Sequence, residues 1–457
     1  MKILHVVHQF LPHHRHGAEI STYELAVMQQ SLGHESVVVA GERGHQQDEL
    51  YLERDRYREL TVHRIFFNPR TPNGWLSHHG FEHLWRRLLE YERPDIVHIQ
   101  QALNLSLSLI DITHQMNIPM VFTVRDFAML CARINLVRGD HTLCRETDLE
   151  ADCVQCLHHE SGLERGELLP ALVDLARENV TSPRSWELLL GAARAKLLSR
   201  GVAAPVRLET IADMRRRNDA VLARLRKVAA ITAISEDTAA RFEKLAKGRV
   251  NVRTLQQVPD TRRCVWKQRP LSDGPLRIGY IGKMAWIKGV QVLLSAFRRL
   301  PTGKAELHLF GGPTRTDVKQ LAFWRQLREQ GNLPTVTFHS DPFDPSRISE
   351  VMEQFDVLVI PSLWFEAYGR VVGEALASGI PVVCSDEGGP ATIIEDGVNG
   401  LSFKLGDAKA LAVTLRRFID EPTLLETLSK NARAPKTPET YGGEVLALYD
   451  EVLSVAQ

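Results

Sequence analysis

The stretch Pro361-Ser-Leu-Trp-Phe-Glu-Ala-Tyr-Gly-Arg-Val-Val-Gly-Glu374 carries two carboxylates, Glu366 and Glu374, with seven residues between them. A strand-like run, Asp356-Val-Leu-Val-Ile360, leads into it, and a helix-like run, Arg370 to Ser378, leaves it. A strand passing through a loop into a helix is the unit of an open α/β sheet. In such sheets ligands bind at the carboxyl ends of the strands. Each carboxylate accepts several hydroxyl hydrogen bonds at once. One in the loop and one on the helix suit a ligand rich in hydroxyls, such as a ribose or a sugar ring.

A second strand–turn–helix unit lies upstream. Leu276-Arg-Ile-Gly-Tyr-Ile-Gly282 has the pattern of a buried strand, Lys283-Met-Ala-Trp-Ile-Lys288-Gly289 that of a turn, and Val290 to Leu300 that of a helix. Two lysines beside small glycines at a helix N-terminus suit a diphosphate, because the helix end adds its own partial positive charge. Taken singly, a lysine pair is a solvated surface and a glutamate pair a set of salt bridges. Their joint presence in βα units of one domain favours a nucleotide-sugar site.

At these residues the chain resembles the retaining glycosyltransferases of family four, nucleotide-sugar-dependent enzymes of the GT-B architecture. The resemblance is carried by Gly282-Lys283…Lys288-Gly289, by Glu366-Ala-Tyr-Gly369…Glu374-Ala375, and by Gly379-Ile-Pro-Val-Val383 followed by Gly388-Gly389 and Asp396-Gly-Val-Asn-Gly400. It implies an α/β fold of two Rossmann-like domains facing across a cleft. It implies that Glu374 binds the ribose hydroxyls and Glu366 the donor sugar. Lys283 and Lys288 are then expected to hold the diphosphate and stabilise the leaving group. The family often has Arg at the earlier lysine; Lys283 keeps the charge without the planar fork. Ala367, Tyr368, Gly369 and Arg370 open the helix, and their amides are expected near the sugar or phosphate.

Composition agrees with a globular enzyme. The 457 residues suffice for two domains, with 44% hydrophobic and 25% charged residues. Acidic and basic residues balance at 56 each. Global charge therefore gives no argument for a nucleic-acid partner. No apolar run reaches membrane-spanning length, and the apolar N-terminal run is too short for a signal peptide. A cytoplasmic protein is expected, with its six cysteines reduced.

Strand and helix patterns alternate through the first half: Ile3–Val7, a helix Ala18–Leu32, Glu35–Ala40, Pro94–Ile99, Pro119–Val124, and Ala229–Ser235 with a helix through Leu245. This predicts a parallel, doubly wound sheet. Between about 127 and 228 the pattern lapses into a cysteine-bearing segment and a helical stretch, taken as an insertion. The domains expected are 1–265, an N-terminal acceptor domain, and 266–435, a C-terminal nucleotide-sugar domain. In the family, the final helix, here within 436–457, crosses back to the first domain.

Three further features concern the N-terminal half. Gly17 follows a loop bearing His8, His13, His14 and His16. It stands where a glycine would let the backbone approach a phosphate at a helix N-terminus. The histidine spacing fits no compact metal site, and acceptor contact or solvation is the expectation. Arg125-Asp126 stands where related enzymes carry His-Asp. Arg cannot titrate, so Arg125 either holds a sugar hydroxyl or phosphate, pairs with Asp126, or marks altered catalysis. Asp126 is a candidate for the acceptor hydroxyl.

Cys131, Cys144, Cys153 and Cys156 fall within 26 residues. The pair Cys153-Val-Gln-Cys156 has zinc-ligand spacing; the first pair is widely spaced. A structural zinc is expected, against reduced thiols packed in a small core, and catalysis needs no metal. From Arg184 to Lys227 eleven basic residues face four acidic ones. This stretch is either a basic amphipathic helix at an anionic membrane bearing lipid-linked acceptors or a solvated charged face.

The expected function is transfer of a hexose-type sugar from a nucleoside-diphosphate donor to a carbohydrate, lipid-linked or other hydroxyl acceptor, in polysaccharide or glycoconjugate synthesis. The alternatives are a non-catalytic nucleotide-sugar-binding subunit, or an epimerase or phosphorylase on the same fold.

Overall fold

The computed structural model describes residues 1–42, 49–69, 74–145, 150–158, 210–269, 274–313, 318–339 and 347–456. These fall into two compact units. Among the described residues, one comprises those of Met1–Glu160 and Val202–Pro259 together with the chain from Lys436 onward; the other comprises those of Asp260–Pro435.

The first unit holds an eight-stranded sheet among the described residues. Its strands are β1 (Lys2–Val7), β2 (Glu35–Glu42), β3 (Leu50–Tyr57), β4 (Leu60–Phe67), β5 (Ile96–Ile99), β6 (Met120–Val124), β7 (Ala230–Ala233) and β8 (Arg253–Thr254). The spatial order is β3-β4-β2-β1-β5-β6-β7-β8. Every pairing is parallel except the hairpin β3–β4. The chain leaves β1 first toward β2 and later returns to β5 on its other side. The reversal puts a crevice at the carboxyl ends of β1 and β5.

The central strands are near-continuous apolar runs because helices cover both faces. Ile3, Val6, Val97 and Val121 are fully buried. The final helix, Pro438–Ala456, is part of this core. Its Tyr441, Val445, Leu448, Tyr449 and Val452 pack with Ile3, Leu25, Ile96 and Val121. Each such side chain taken fully from water contributes about 1.5–3 kcal/mol.

The second unit holds a six-stranded parallel sheet among the described residues. It comprises β9 (Leu276–Ile281), β10 (Ala305–Phe310), β11 (Val336–His339), β12 (Val357–Ile360), β13 (Val382–Ser385) and β14 (Gly400–Phe403). The order β11-β10-β9-β12-β13-β14 reverses between β9 and β12. The loops that follow these two strands carry the lysines and the first glutamate.

The expected strands appear within two residues of their predicted ends, and the same holds for the apolar runs Ala305–Gly311, Thr335–His339 and Pro381–Ser385, which predict β10, β11 and β13. The pattern did not disclose β3, β4, β8 or β14. The proposed insertion at 127–228 falls largely on residues outside the described ones. Its described parts are the turn region 127–144, a helix Ala151–His158 and a helix Ile211–Leu225.

Candidate active site

In the second unit the loops after β9 and β12 touch. Gly289 caps the helix Val290–Phe297 at φ +73°. A Cβ built there would stand 1.7 Å from the Pro361 carbonyl oxygen. Only glycine permits both the backbone angle and the approach. One residue pair links the loops further, the Leu363 N–H donating to the Ile287 carbonyl at 2.8 Å.

This contact brings Lys288 to Glu366. The ammonium donates to Glu366 Oε2 at 2.6 Å. Ser362 Oγ and Trp364 Nε1 donate to the same oxygen, at 3.1 and 2.9 Å. The turn after β13 braces Glu366 from behind. The Gly389 N–H donates to the Glu366 carbonyl at 2.6 Å. Gly388, at φ +93°, leaves room for the Glu366 amide, which an added Cβ would approach to 3.0 Å. The turns after three neighbouring strands, β9, β12 and β13, thus converge on Glu366, the first two at its carboxylate and the third at its backbone.

Glu374 lies on the helix Arg370–Ala377, whose first turn is capped by Gly369. Arg370 pairs with it at 3.3 Å. Ala367 and Tyr368 are buried just before the helix. Lys283 is exposed on the β9 loop, and its carbonyl accepts the buried Tyr280 hydroxyl at 2.8 Å.

In the first unit Arg125 and Asp126 follow β6. Arg125 Nε and Nη2 donate to Gln100 Oε1 at 3.0 and 2.5 Å, and Nη1 donates to Gln257 Oε1. Gln257 in turn donates to Ser21 Oγ at 2.5 Å. Gln100 also meets His98 Nδ1 at 3.0 Å, and His98 meets the Tyr449 hydroxyl at 2.5 Å. Burial holds His5 down at about 4, with the Arg125 charge adding to the effect. His98 is held well below the usual imidazole range by burial, His5 and Arg125. Both rings are therefore neutral at physiological pH, beside a cation that does not titrate.

Asp126 accepts from the Ala128 N–H at 2.9 Å and from the Gln101 amide. Burial raises its carboxyl to about 6 against those bonds and the Arg125 charge. It lines a small pocket with Trp75, Gln101, Leu103, Phe122 and Met129.

Gly17 is the exposed first residue of the helix Gly17–Ser31. Two residues on, Glu19 is fully buried. Burial alone would raise Glu19; the hydrogen bond from His16 and the charges of His8 and His16 hold it below the usual range. His14 pairs with Glu42 at 3.1 Å, and Glu42 also binds the buried Arg64 at 2.8 Å. His8, His14 and His16 thus serve carboxylates. No group of three or more His, Cys, Asp or Glu among the described residues is arranged to hold a metal ion.

Two family descriptions match the chain. "Glycosyltransferase Family 4" covers residues 15–143, and "Glycosyl transferases group 1" covers 265–434. The chain belongs to the family-four-like glycosyltransferases. A D-inositol 3-phosphate glycosyltransferase of Corynebacterium kroppenstedtii is 31% identical over 160 residues, 34% of this chain and 35% of that protein. An alpha-D-kanosaminyltransferase of Streptomyces kanamyceticus is 30% identical over 203 residues, 42% of this chain and 50% of that protein. The chain therefore matches a third to a half of the length of these curated relatives.

Among solved structures, sucrose-phosphate synthase from Thermosynechococcus elongatus superposes with a TM-score of 0.66 at 14% identity, over 100% of both chains. Anabaena HepE, solved with UDP and glucose, superposes with a TM-score of 0.60 at 16% identity, over 99% of this chain and 100% of that one. These likenesses show the GT-B fold.

In this glycosyltransferase-family chain Cys131, Cys144, Cys153 and Cys156 come together around one small pocket with Leu136 and Leu157. A bridge between Val137 and Leu143 folds the turn that joins the first two. Burial, with the neighbouring Cys131, Cys144 and Cys156, pushes the Cys153 thiol up to about 12. Sequence spacing had set the first pair apart; the fold brings it to the second. As they stand, the four sulfurs are not drawn into an ion-holding arrangement.

Of the basic stretch 184–227, residues 184–209 and the leucines Leu189, Leu190, Leu197 and Leu198 lie outside the described residues. Arg217 departs from both expected readings. It is buried and donates to the Leu130 and Ala128 carbonyls at 3.2 and 2.9 Å, so it belongs to no solvated or lipid-facing stripe. Arg224 and Lys227 bind Asp111. No helix among the described residues is long and apolar enough to cross a membrane.

Sequence reasoning missed Glu19, Gln100, Gln101 and Gln257. Glu19 had a signal, since it follows Gly17-Ala18 in the first helical turn. The glutamines had none, because their partners are distant in the chain.

Proposed function

We propose that the protein transfers a hexose-type sugar from a nucleoside-diphosphate donor to an acceptor hydroxyl, with retention at the anomeric carbon. The observation that carries this reading is the meeting of Lys288 and Glu366 at 2.6 Å, from the two loops at the sheet's reversal point. The ammonium is suited to the diphosphate, Glu366 to the donor sugar and Glu374 to the ribose. Lys283, exposed on the same loop, is suited to add charge to the diphosphate. Anabaena HepE, a protein of like fold solved with UDP and glucose, supports a nucleotide-sugar donor of this kind.

In the proposed reaction a donor phosphate oxygen accepts the acceptor's proton. The anomeric carbon–oxygen bond breaks on the face where the acceptor oxygen bonds. Charge grows on the departing diphosphate, and Lys288 is suited to stabilise it. No protein nucleophile takes part. Asp126 is the candidate to bind the acceptor hydroxyl, and Arg125 to hold a sugar hydroxyl or phosphate.

The experiment is a screen of nucleotide-sugar donors against carbohydrate and lipid-linked acceptors, with product anomers read by NMR. A retained anomeric configuration supports the proposal. An inverted product overturns it.

A second reading, a non-catalytic nucleotide-sugar-binding subunit, is favoured by Arg125 standing where relatives carry histidine, engaged by Gln100 and Gln257. Nucleotide binding without turnover of any donor would select it. In an active enzyme, Arg125→Ala lowers turnover and Arg125→His restores part of it.

We propose separately that the four-thiol pocket takes a structural zinc, with the sulfurs closing onto the ion. The soft donor set supports this. The ion would hold the turn 131–144 to the helix Ala151–His158 and take no part in transfer.

A further inference from the structure

We infer that Trp364 is a positioning residue: it keeps Glu366 in place while Lys288 exchanges that carboxylate for the donor's diphosphate. The inference rests on the donor-site reading above and adds a residue that the reading does not use.

Three donors converge on one oxygen. Glu366 Oε2 accepts from Lys288 Nζ at 2.6 Å, Trp364 Nε1 at 2.9 Å and Ser362 Oγ at 3.1 Å. Lys288 Nζ also lies 5.2 Å from the centroid of the Trp364 ring. The indole therefore touches both members of the ion pair, one through its N–H and the other through its face.

A diphosphate and Glu366 compete for the same ammonium. The donor carries more negative charge than one carboxylate, so it draws Lys288 toward itself. Were Lys288 the only anchor, Glu366 would lose its orientation as the sugar arrives. The indole and hydroxyl are neutral donors, and a diphosphate has less reason to claim them. They leave Glu366 held by two hydrogen bonds after the exchange. The face of the indole meanwhile offers the moving ammonium a second attraction.

The backbone supports this role. The Glu366 N–H donates to the Trp364 carbonyl at 2.8 Å, so the two residues form a tight turn. The Gly389 N–H binds the Glu366 carbonyl from the next loop. An aromatic ring on such a turn has few rotamers, and its N–H is aimed before any ligand binds.

The test uses the full chain with Trp364→Phe, which keeps an aromatic face for Lys288 and removes the N–H. Ser362→Ala is the second variant, in case the first does not fold. Binding of uridine and guanosine diphosphates is measured by calorimetry, and transfer with the donor found by the screen. Expected for Trp364→Phe is nucleoside-diphosphate affinity within about threefold of wild type and kcat lowered about tenfold or more at saturating donor. Ser362→Ala shows the same split with a smaller drop.

A spectroscopic readout is independent of turnover. Inorganic pyrophosphate, the diphosphate without a base, should change tryptophan emission in the wild type as Lys288 shifts relative to the Trp364 ring. That change should be lost in Trp364→Phe. Wild-type kcat in both variants overturns the inference, as does a raised KM with unchanged kcat. If the wild type binds no nucleoside diphosphate at all, the donor-site reading itself fails, which is a different result.

Discussion

Lys288 Nζ and Glu366 Oε2 stand 2.6 Å apart although 78 residues separate them in the chain. The pair comes from two strands that are neighbours only because the sheet order reverses between them. Replacing Lys288 by Ala removes the cation that would meet the departing diphosphate. The transfer rate should fall about 100- to 1,000-fold, the range for loss of one electrostatic stabiliser. Saturating donor should not restore it. Near-normal turnover in a steady-state assay would rule the role out.

Glu374→Ala should weaken nucleoside-diphosphate binding by about 1.5–3 kcal/mol for each charge-assisted hydrogen bond to the ribose. Calorimetry with uridine and guanosine diphosphates provides the check. Arg370, its ion-pair partner at 3.3 Å, should keep the helix N-terminus basic in the variant. Equal affinity for wild type and variant would move the ribose elsewhere.

Gly289→Ala should destabilise the protein by at least about 2 kcal/mol. The new side chain meets φ +73° and a Cβ position 1.7 Å from the Pro361 oxygen. Denaturant midpoints measure the loss. Because that contact sets the β9 loop against the β12 loop, nucleoside-diphosphate binding should weaken in the same variant. A midpoint equal to wild type would mean that the loops separate without cost.

Asp126 gives a pH dependence with a defined sign. Its folded carboxyl titrates at about 6, above its unfolded value near 4. Between those values the folded chain binds more protons than the unfolded one, so this group's contribution to stability falls as pH rises from about 4 to 6. His5 acts oppositely: held at about 4 by burial, it destabilises the fold as pH drops below its unfolded value near 6.5. Asp126→Asn isolates the first effect, since Gln101 can turn its amide to suit. The stability difference between variant and wild type, from denaturation at pH 4 to 8, should shift in the variant's favour as pH rises. A difference independent of pH would refute the raised carboxyl.

The zinc proposal predicts about one ion per chain in protein purified without added metal. Replacing Cys153 and Cys156 by Ser should remove it. The thiols of Cys131 and Cys153, pushed up by burial, must deprotonate to bind, so uptake should release protons. Metal-free protein with all four thiols open to alkylation would leave a packed thiol cluster.

Much of the frame was legible because period is local. The run Leu276–Ile281 is apolar enough to be a strand covered on both faces, and Gly289 after Lys288 announces a tight turn. The hairpin β3–β4 escaped notice because Leu50–Tyr57 mixes charge and apolar residues without clean alternation. Its turn also uses Arg58 at φ +54° in place of the glycine or asparagine that would have signalled it. The helix 79–92 buries Phe81, Trp85, Leu88 and Leu89 at helical spacing, yet begins on a histidine cap, His78, outside the usual set of cap residues.

The sequence by itself determined the two βα turns, the residue types at their tips and the identity of the family. All of these rest on short-range pattern and on chemistry that each side chain carries anywhere. Only the tertiary structure decided which groups meet. It set Trp364 and Ser362 on the oxygen that Lys288 also binds, and aimed Arg125 at Gln100 and Gln257. It gathered four cysteines at one pocket and buried Arg217 out of a stretch that looked uniformly basic. A hydrogen-bond partner is chosen by distance in space, and the reversal of strand order brings distant segments side by side without leaving a periodic trace in either one.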